Sequence, residues 1–221
     1  MRLTFLHKIY KRTPFTPNSI YTRAFSHTRT QTMKLPYADP SSPALNTPEA
    51  SAIVSRVRER RAPRPLQALD LTLLHAPPVA DGWNSFLGAI RTKTSLSDDV
   101  REIAICRVAV VNEAWYEWGH HAPLAKAAGV SEEGIKVLGR KDVEGEGEGV
   151  LSRKQWAVVR YTDAMTRSVK VPEGVFKELR EVFSEREVVE ITATVAAYNC
   201  VSRFLVALDV GEKNSLTGPE L

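Results

Sequence analysis

This 221-residue sequence predicts an all-α fold. Apolar residues recur at three- and four-residue steps through the body of the chain, and no clean period-two run longer than about four residues interrupts them. Hydroxyl and acidic helix-entry signals, with glycine stops, punctuate those runs. The composition, 43 % hydrophobic and 25 % charged, is that of one globular domain, long enough to bury a core without disulfides.

Residues 1–32 read as a leader ahead of the fold. They hold Arg2, Lys8, Lys11, Arg12, Arg23 and Arg29 and no acidic residue. Serine and threonine are frequent and no long apolar segment is present, the composition of a mitochondrial transit peptide rather than of a secretory signal. Arg23-Ala24-Phe25-Ser26 resembles a matrix-processing site cut after Phe25. Met33 opens the body, and initiation there would give a cytoplasmic form. Without the six leader cations, residues 33–221 carry 24 basic against 26 acidic side chains, so the overall +4 is no argument for nucleic-acid binding by the folded part. No run of about 18 apolar residues occurs, so no membrane span is expected. Cys106 and Cys200 are far apart and form no Cys-x-x-Cys, the usage of reduced intracellular thiols.

From Met33 onward the elements follow in order. Residues 33–46, with Pro36, Pro40 and Pro43, form an extended arm. Thr47-Pro48-Glu49 combines a hydroxyl N-cap, proline at the first helical position and an early acid. "EASAIVSRVRERR" is therefore helical to about Arg61, where "APRP" ends it. "LQALDLTLLH" and "PVADGWNSFLGAI" give two further helices around Pro77-Pro78, and Ser97-Asp98-Asp99 caps "DVREIAICRVAVV". Asn112 marks a joint before "AWYEWGHHAPLAKAAG", which Gly129 stops, and Ser131 starts a helix through "IKVLGR". The acidic, glycine-rich "VEGEGEGV" at 143–150 has no evident packing capacity and is expected to split the domain, 47–212, into two helical groups. "SRKQWAVVRYTDAMTRS" and "PEGVFKELREVF" are amphipathic helices. Ser184 begins the long last one, "EREVVEITATVAAYNCVSRFLVALDV", and 213–221 is a tail. "VREIAICRVAVVN" and "VVEITATVAAYN" are apolar almost all round, so each must be buried on every side. In a domain this small that points to a homo-oligomer, and their likeness hints at an internal duplication.

The candidate chemistry centres on "EAWYEWGHH", residues 113–121. Glu117 lies four residues before His121 and three before His120, so on a helix either imidazole can stack against its carboxylate. Such a carboxylate orients the ring and leaves the other nitrogen as a general acid or base. Trp115, Tyr116 and Trp118 suit a core seam or a pocket wall. Glu117, His120 and His121 do not make a zinc set, and no cofactor motif is present. Arg107 and Arg203 are guanidiniums on apolar helices; each needs an anion, supplied by a protein carboxylate or by a bound acidic substrate. The cysteines read as packing residues.

"DDVREIAICRVAVVNEAWYEWGHHAPLAKAAGVSEEGI" and "EREVVEITATVAAYNCVSRFLVAL" resemble the carboxymuconolactone decarboxylase family, which shares its helical fold with the AhpD-type alkylhydroperoxidases. The resemblance rests on Arg101 and Glu102, then Glu117 and His121, then Ala125, Gly129, Val130, Ser131 and Glu133. It implies an AhpD-like helical domain assembled as a trimer or hexamer, and it selects His121 over His120. The peroxidase branch implies a Cys-x-x-Cys pair ahead of the histidine, where this chain has Tyr116, Glu117, Trp118 and Gly119. The decarboxylase branch implies a cofactor-free site for a small carboxylated lactone or enol. On that reading His121 is the general acid/base and Glu117 its orienting partner. Arg107 and Arg203 then anchor carboxylates, and Trp118 and Tyr198 line the pocket. An AhpD-like antioxidant activity and a non-catalytic helical oligomer are the alternatives.

Overall fold

The computed structural model describes residues 33–143, 145 and 147–219. The expected leader, residues 1–32, lies outside the described residues. As expected, the fold is all-helical. The arm ends in a 3-10 turn, Pro43–Leu45. The Thr47 hydroxyl then accepts from the Ala50 N–H and opens α1 (Pro48–Arg61). Next come α2 (Ala68–Leu73) and α3 (Pro77–Thr92). α4 (Asp98–Val111) and α5 (Trp115–Ala127) form an antiparallel pair, and α6 (Glu132–Leu138) follows, capped by Ser131. α7 (Arg153–Ser168) and α9 (Glu185–Leu208) start with reciprocal capping boxes, Ser152 with Gln155 and Ser184 with Glu187, which satisfy otherwise orphan amides. α8 (Glu173–Arg180) lies between them.

α4 is the central rod. Residues 102–110 are all buried, with α5, α7, α9 and α6 packed around it. Its apolar circumference is thus accounted for inside one chain, and no second copy is needed to cover it. α9 is different: Val189, Ala196, Cys200 and Arg203 leave one side of it exposed. By length and a mean hydropathy of 1.4, α9 meets the composition of a membrane span, which the sequence reading did not anticipate. Ile191, Val195, Tyr198, Val201 and Leu205 of the same helix are buried in the domain core. The look-alike segments meet where the end of α4 crosses the interior of α9, and Asn112 Nδ2 donates to Asn199 Oδ1 at 3.1 Å.

The glycine-rich loop does not split the domain, because α7 beyond it packs directly on α4 before it. Val143 and Leu151, on either side of the loop, are buried, and Gly147 sits where a Cβ would meet the Trp156 ring at 2.2 Å. The arm and tail also pack. Lys34 N–H donates to the Leu208 carbonyl at 3.0 Å, and the Trp115 indole N–H to that of Leu216 at 2.9 Å.

Candidate active site

Two local devices turn α5 back along α4. Asn112 closes α4, and Glu113 takes a left-handed φ of 55°, a conformation that costs a side-chain-bearing residue of order 1 kcal/mol. The antiparallel return places Glu102, in the second turn of α4, beside His121 in the middle of α5. The two are 19 residues apart in sequence, and their side chains meet at 2.6 Å between Glu102 Oε2 and His121 Nδ1.

The carboxylate that orients His121 is therefore Glu102, not Glu117. Glu117 shares a helix with His121 but turns toward α9, where Ser202 Oγ stands 3.1 Å from both of its carboxyl oxygens. Glu117 is 2 % exposed. Burial pushes its carboxyl well above the usual range, against the opposing pull of Ser202 and Arg91, and so favours its protonated form. Burial also lowers the His121 pKa, against the pull of Glu102, and so favours the neutral ring. With Nδ1–H committed to Glu102, the Nε2 lone pair faces the Tyr198 hydroxyl at 3.4 Å. Arg91 Nε–H donates to that hydroxyl at 2.6 Å, which leaves the phenolic hydrogen free to point at His121. Burial holds Tyr198 as a phenol, with its pKa pushed up to about 12 despite Arg91.

Glu102, His121, Tyr198 and Arg91 thus form one chain across α4, α5, α9 and α3. They line a cavity of about 200 Å³ together with Glu117, Arg61, Arg64, Gln67 and His120. Arg61 is neutralised by two bonds to Asp70, at 2.7 and 2.9 Å. Arg60 shares that carboxylate at 3.3 Å, and burial beside Arg61 pushes its guanidinium down to about 10. Asp70 therefore faces more guanidiniums than it can balance. The terminal nitrogens of Arg91 and the whole Arg64 head make no hydrogen bond or ion pair among the described residues. Guanidinium groups of Arg91 and Arg64 thus line the cavity without a protein anion, beside the Glu102 and Glu117 carboxyls.

The other expected site residues fall elsewhere, apart from Tyr198. Arg107 is fully buried in the core, with Nε and Nη2 on Asp163 at 2.8 and 2.6 Å and Nη1 on the Leu138 and Arg140 carbonyls, both at 2.7 Å. Its anion is a protein carboxylate. Arg203 is exposed and donates back to Asn199 on its own helix. Trp118 is buried on the side of α5 away from the cavity, against Gly139. His120 sits exposed at the rim, with Nδ1 2.8 Å from the Tyr116 carbonyl. Arg91 and Ser202 were missed. Each is a polar residue one helical turn from apolar neighbours, a signal that marks hundreds of ordinary surface positions equally well. Cys106 is buried beneath the site, and burial pushes its thiol well above its ordinary value. Cys200 is exposed on α9. Neither lines the cavity.

The all-helical fold resembles that of solved structures with an AhpD core. Residues 77–157 match the carboxymuconolactone decarboxylase family, so the resemblance read from the residues holds over the segment that carries Arg91, Glu102, Glu117 and His121. No curated protein matches the sequence. Among solved structures, the chain is similar to an uncharacterized peroxidase-related protein with an alkylhydroperoxidase AhpD core from Ralstonia eutropha. That likeness has 18 % identity and a TM-score of 0.66 and covers 80 % of this chain and 90 % of that one. A peroxidase-related protein from Silicibacter sp. gives 17 % identity and a TM-score of 0.64, with coverage of 80 % and 90 %. The debrominase Bmp8 in complex with tribromopyrrole gives 16 % and 0.63, with coverage of 82 % and 91 %. At these identities the likeness is one of fold.

Proposed function

We propose that the cavity is the active site of a cofactor-independent acid–base enzyme, a decarboxylase-like lyase acting on a small carboxylated lactone or enol. The observation that carries this reading is the placement, in one cavity, of a histidine oriented by Glu102 at 2.6 Å and a buried Glu117 carboxyl whose environment favours the protonated form. A group poised to accept a proton and a group with one to give are what such chemistry requires. The substrate carboxylate sits against the free nitrogens of Arg91. When its carbon–carbon bond breaks, the electron pair moves onto the conjugated carbonyl as CO2 leaves. The Tyr198 hydroxyl, backed by Arg91, donates to that developing oxyanion. Glu117 gives its proton to carbon and is reloaded from solvent through the cavity mouth, while His121 accepts a proton where the substrate must first enolise.

Thiol peroxidase chemistry finds no support at this site. Cys106 is buried and held protonated, the other thiol, Cys200, is exposed on α9, and neither lines the cavity. The test is CO2 release from 4-carboxymuconolactone by the full chain beside His121→Ala. Turnover is expected in the first and a drop of about a hundredfold or more in the second. Equal turnover in both removes His121 from the chemistry. No turnover in either removes this substrate and moves the weight to another acid or to a non-catalytic role.

A further inference from the structure

A second built polar site lies at the joint between the arm and the end of α9. The Met33 N–H donates to Glu212 Oε1 at 3.1 Å, and the Tyr37 hydroxyl donates to the same oxygen at 2.9 Å. Gly211 N–H in turn donates to Tyr37 Oη at 3.0 Å, and Lys34 N–H to the Leu208 carbonyl. The Met33 side chain is buried, its sulfur 3.2 Å from Thr72 Oγ1. Glu212 adopts a left-handed φ of 54° to present its carboxylate there. It is only half-exposed, and no side-chain cation pairs with it among the described residues.

A partly buried carboxylate without a counter-cation is unfavourable. Held in a strained backbone conformation and aimed at one backbone nitrogen, it needs a reason. The sequence supplies one, because that nitrogen belongs to a methionine, the residue that starts chains, and it follows 32 residues with no acidic side chain. If translation begins at Met33, its nitrogen is an ammonium group and the missing cation is in place.

We propose that Met33 is a chain start, and that Glu212, Tyr37 and Thr72 are a receptor for its ammonium group and side chain. One message would then yield a form without the basic leader whose terminus locks the arm onto α9. The other titratable groups at this joint are Tyr37 and Asp209, with Lys34 and Lys213 next to Met33 and Glu212 in the chain. Burial first, and then Glu212, raise the Tyr37 pKa, so it stays a neutral donor throughout the range that matters. An α-amino group titrates near pH 8 in an unfolded chain, and Glu212 raises that value in the fold. The pair's stabilisation is therefore full below about pH 8 and is lost as pH rises through the folded value.

The test compares four forms of the chain beginning at Met33, which contains every described element: the natural sequence and Glu212→Gln, each with a free amine and acetylated at Met33. Acetylation is expected to lower Tm by about 2–4 °C below pH 8. The difference should close above about pH 10 and vanish in Glu212→Gln. A Tm that is the same with and without the acetyl group, or a loss that survives Glu212→Gln, overturns the receptor. In the natural source, terminal peptides that begin at Met33 are expected. A population beginning only upstream overturns the second start.

Discussion

Burial favours the protonated form of Glu117, where a carboxylate would have been the ordinary expectation. Its carboxyl has a single hydroxyl partner, Ser202, and is almost wholly removed from water. Desolvation there outweighs the opposing pull of Ser202 and Arg91, so its folded pKa is raised well above the ordinary carboxyl value. A raised folded-state pKa means that the native state holds a proton the unfolded chain has released. Stability therefore falls as pH rises from the unfolded carboxyl value through the folded one, by about 1.4 kcal/mol per unit at most. Glu117→Gln keeps the shape and the hydrogen bond to Ser202 and has no proton to lose. Urea unfolding should find it close to wild type near pH 5 and increasingly the more stable protein toward pH 9. Parallel stability curves would place the proton elsewhere. In the same variant CO2 release should fall, since the proton donor is gone.

The hairpin of α4 and α5 is the element that assembles the acid–base chain, and its turn is strained. Glu113 occupies a left-handed position at which glycine bears no penalty, and its carboxylate is tied to Lys141 across the surface. Exposed ion pairs of this kind contribute less than about 1 kcal/mol, so relief of the backbone strain outweighs losing it. Glu113→Gly should raise stability by up to about 1 kcal/mol in chemical denaturation and leave the His121 site unaltered. A loss of more than that would show that the side chain, rather than the turn, holds the hairpin. The helices on each side were legible in the sequence, because capping residues and three–four periodicity act over a few positions. Ser131, Ser152 and Ser184 all accept from the amides their spacing predicts. The loop at 143–150 was misread for the complementary reason. Composition shows that glycines cannot fill a core, but not that a neighbour such as Trp156 will pack against their bare backbone.

At the scale of the whole molecule, Arg107 ties three elements together. From the middle of α4 it reaches Asp163 on α7 and the carbonyls that end α6 and follow it. Removing one partner of a buried ion pair costs about 3–5 kcal/mol; here Asp163 keeps only the more distant Arg167, at 3.8 Å, and two carbonyls lose this donor. Arg107→Met should therefore lower global stability by that amount in urea unfolding. At temperatures where the variant is still folded, its turnover should stay near wild type, since Arg107 does not line the cavity. Lost turnover in folded protein would return Arg107 to the site.

The sequence by itself determined the all-α class, the order and ends of most helices, the buried character of α4, the family resemblance and the prominence of Glu117 and His121. Each of these depends on residues a few positions apart, where helix geometry decides what meets. Only the tertiary structure decided which groups those two residues face. His121 bonds to Glu102 across 19 positions and to Tyr198 across 77, and Tyr198 to Arg91 across 107. The i to i+4 pairing of Glu117 with His121 was geometrically open, but it lost to α9 and α4. Packing brought Ser202 to one carboxyl and Glu102 to the imidazole, and a buried polar group takes whichever partner the packed helices set within reach. The same packing sent Arg107 into the core and Arg203 to the surface and left Arg91 to face the cavity.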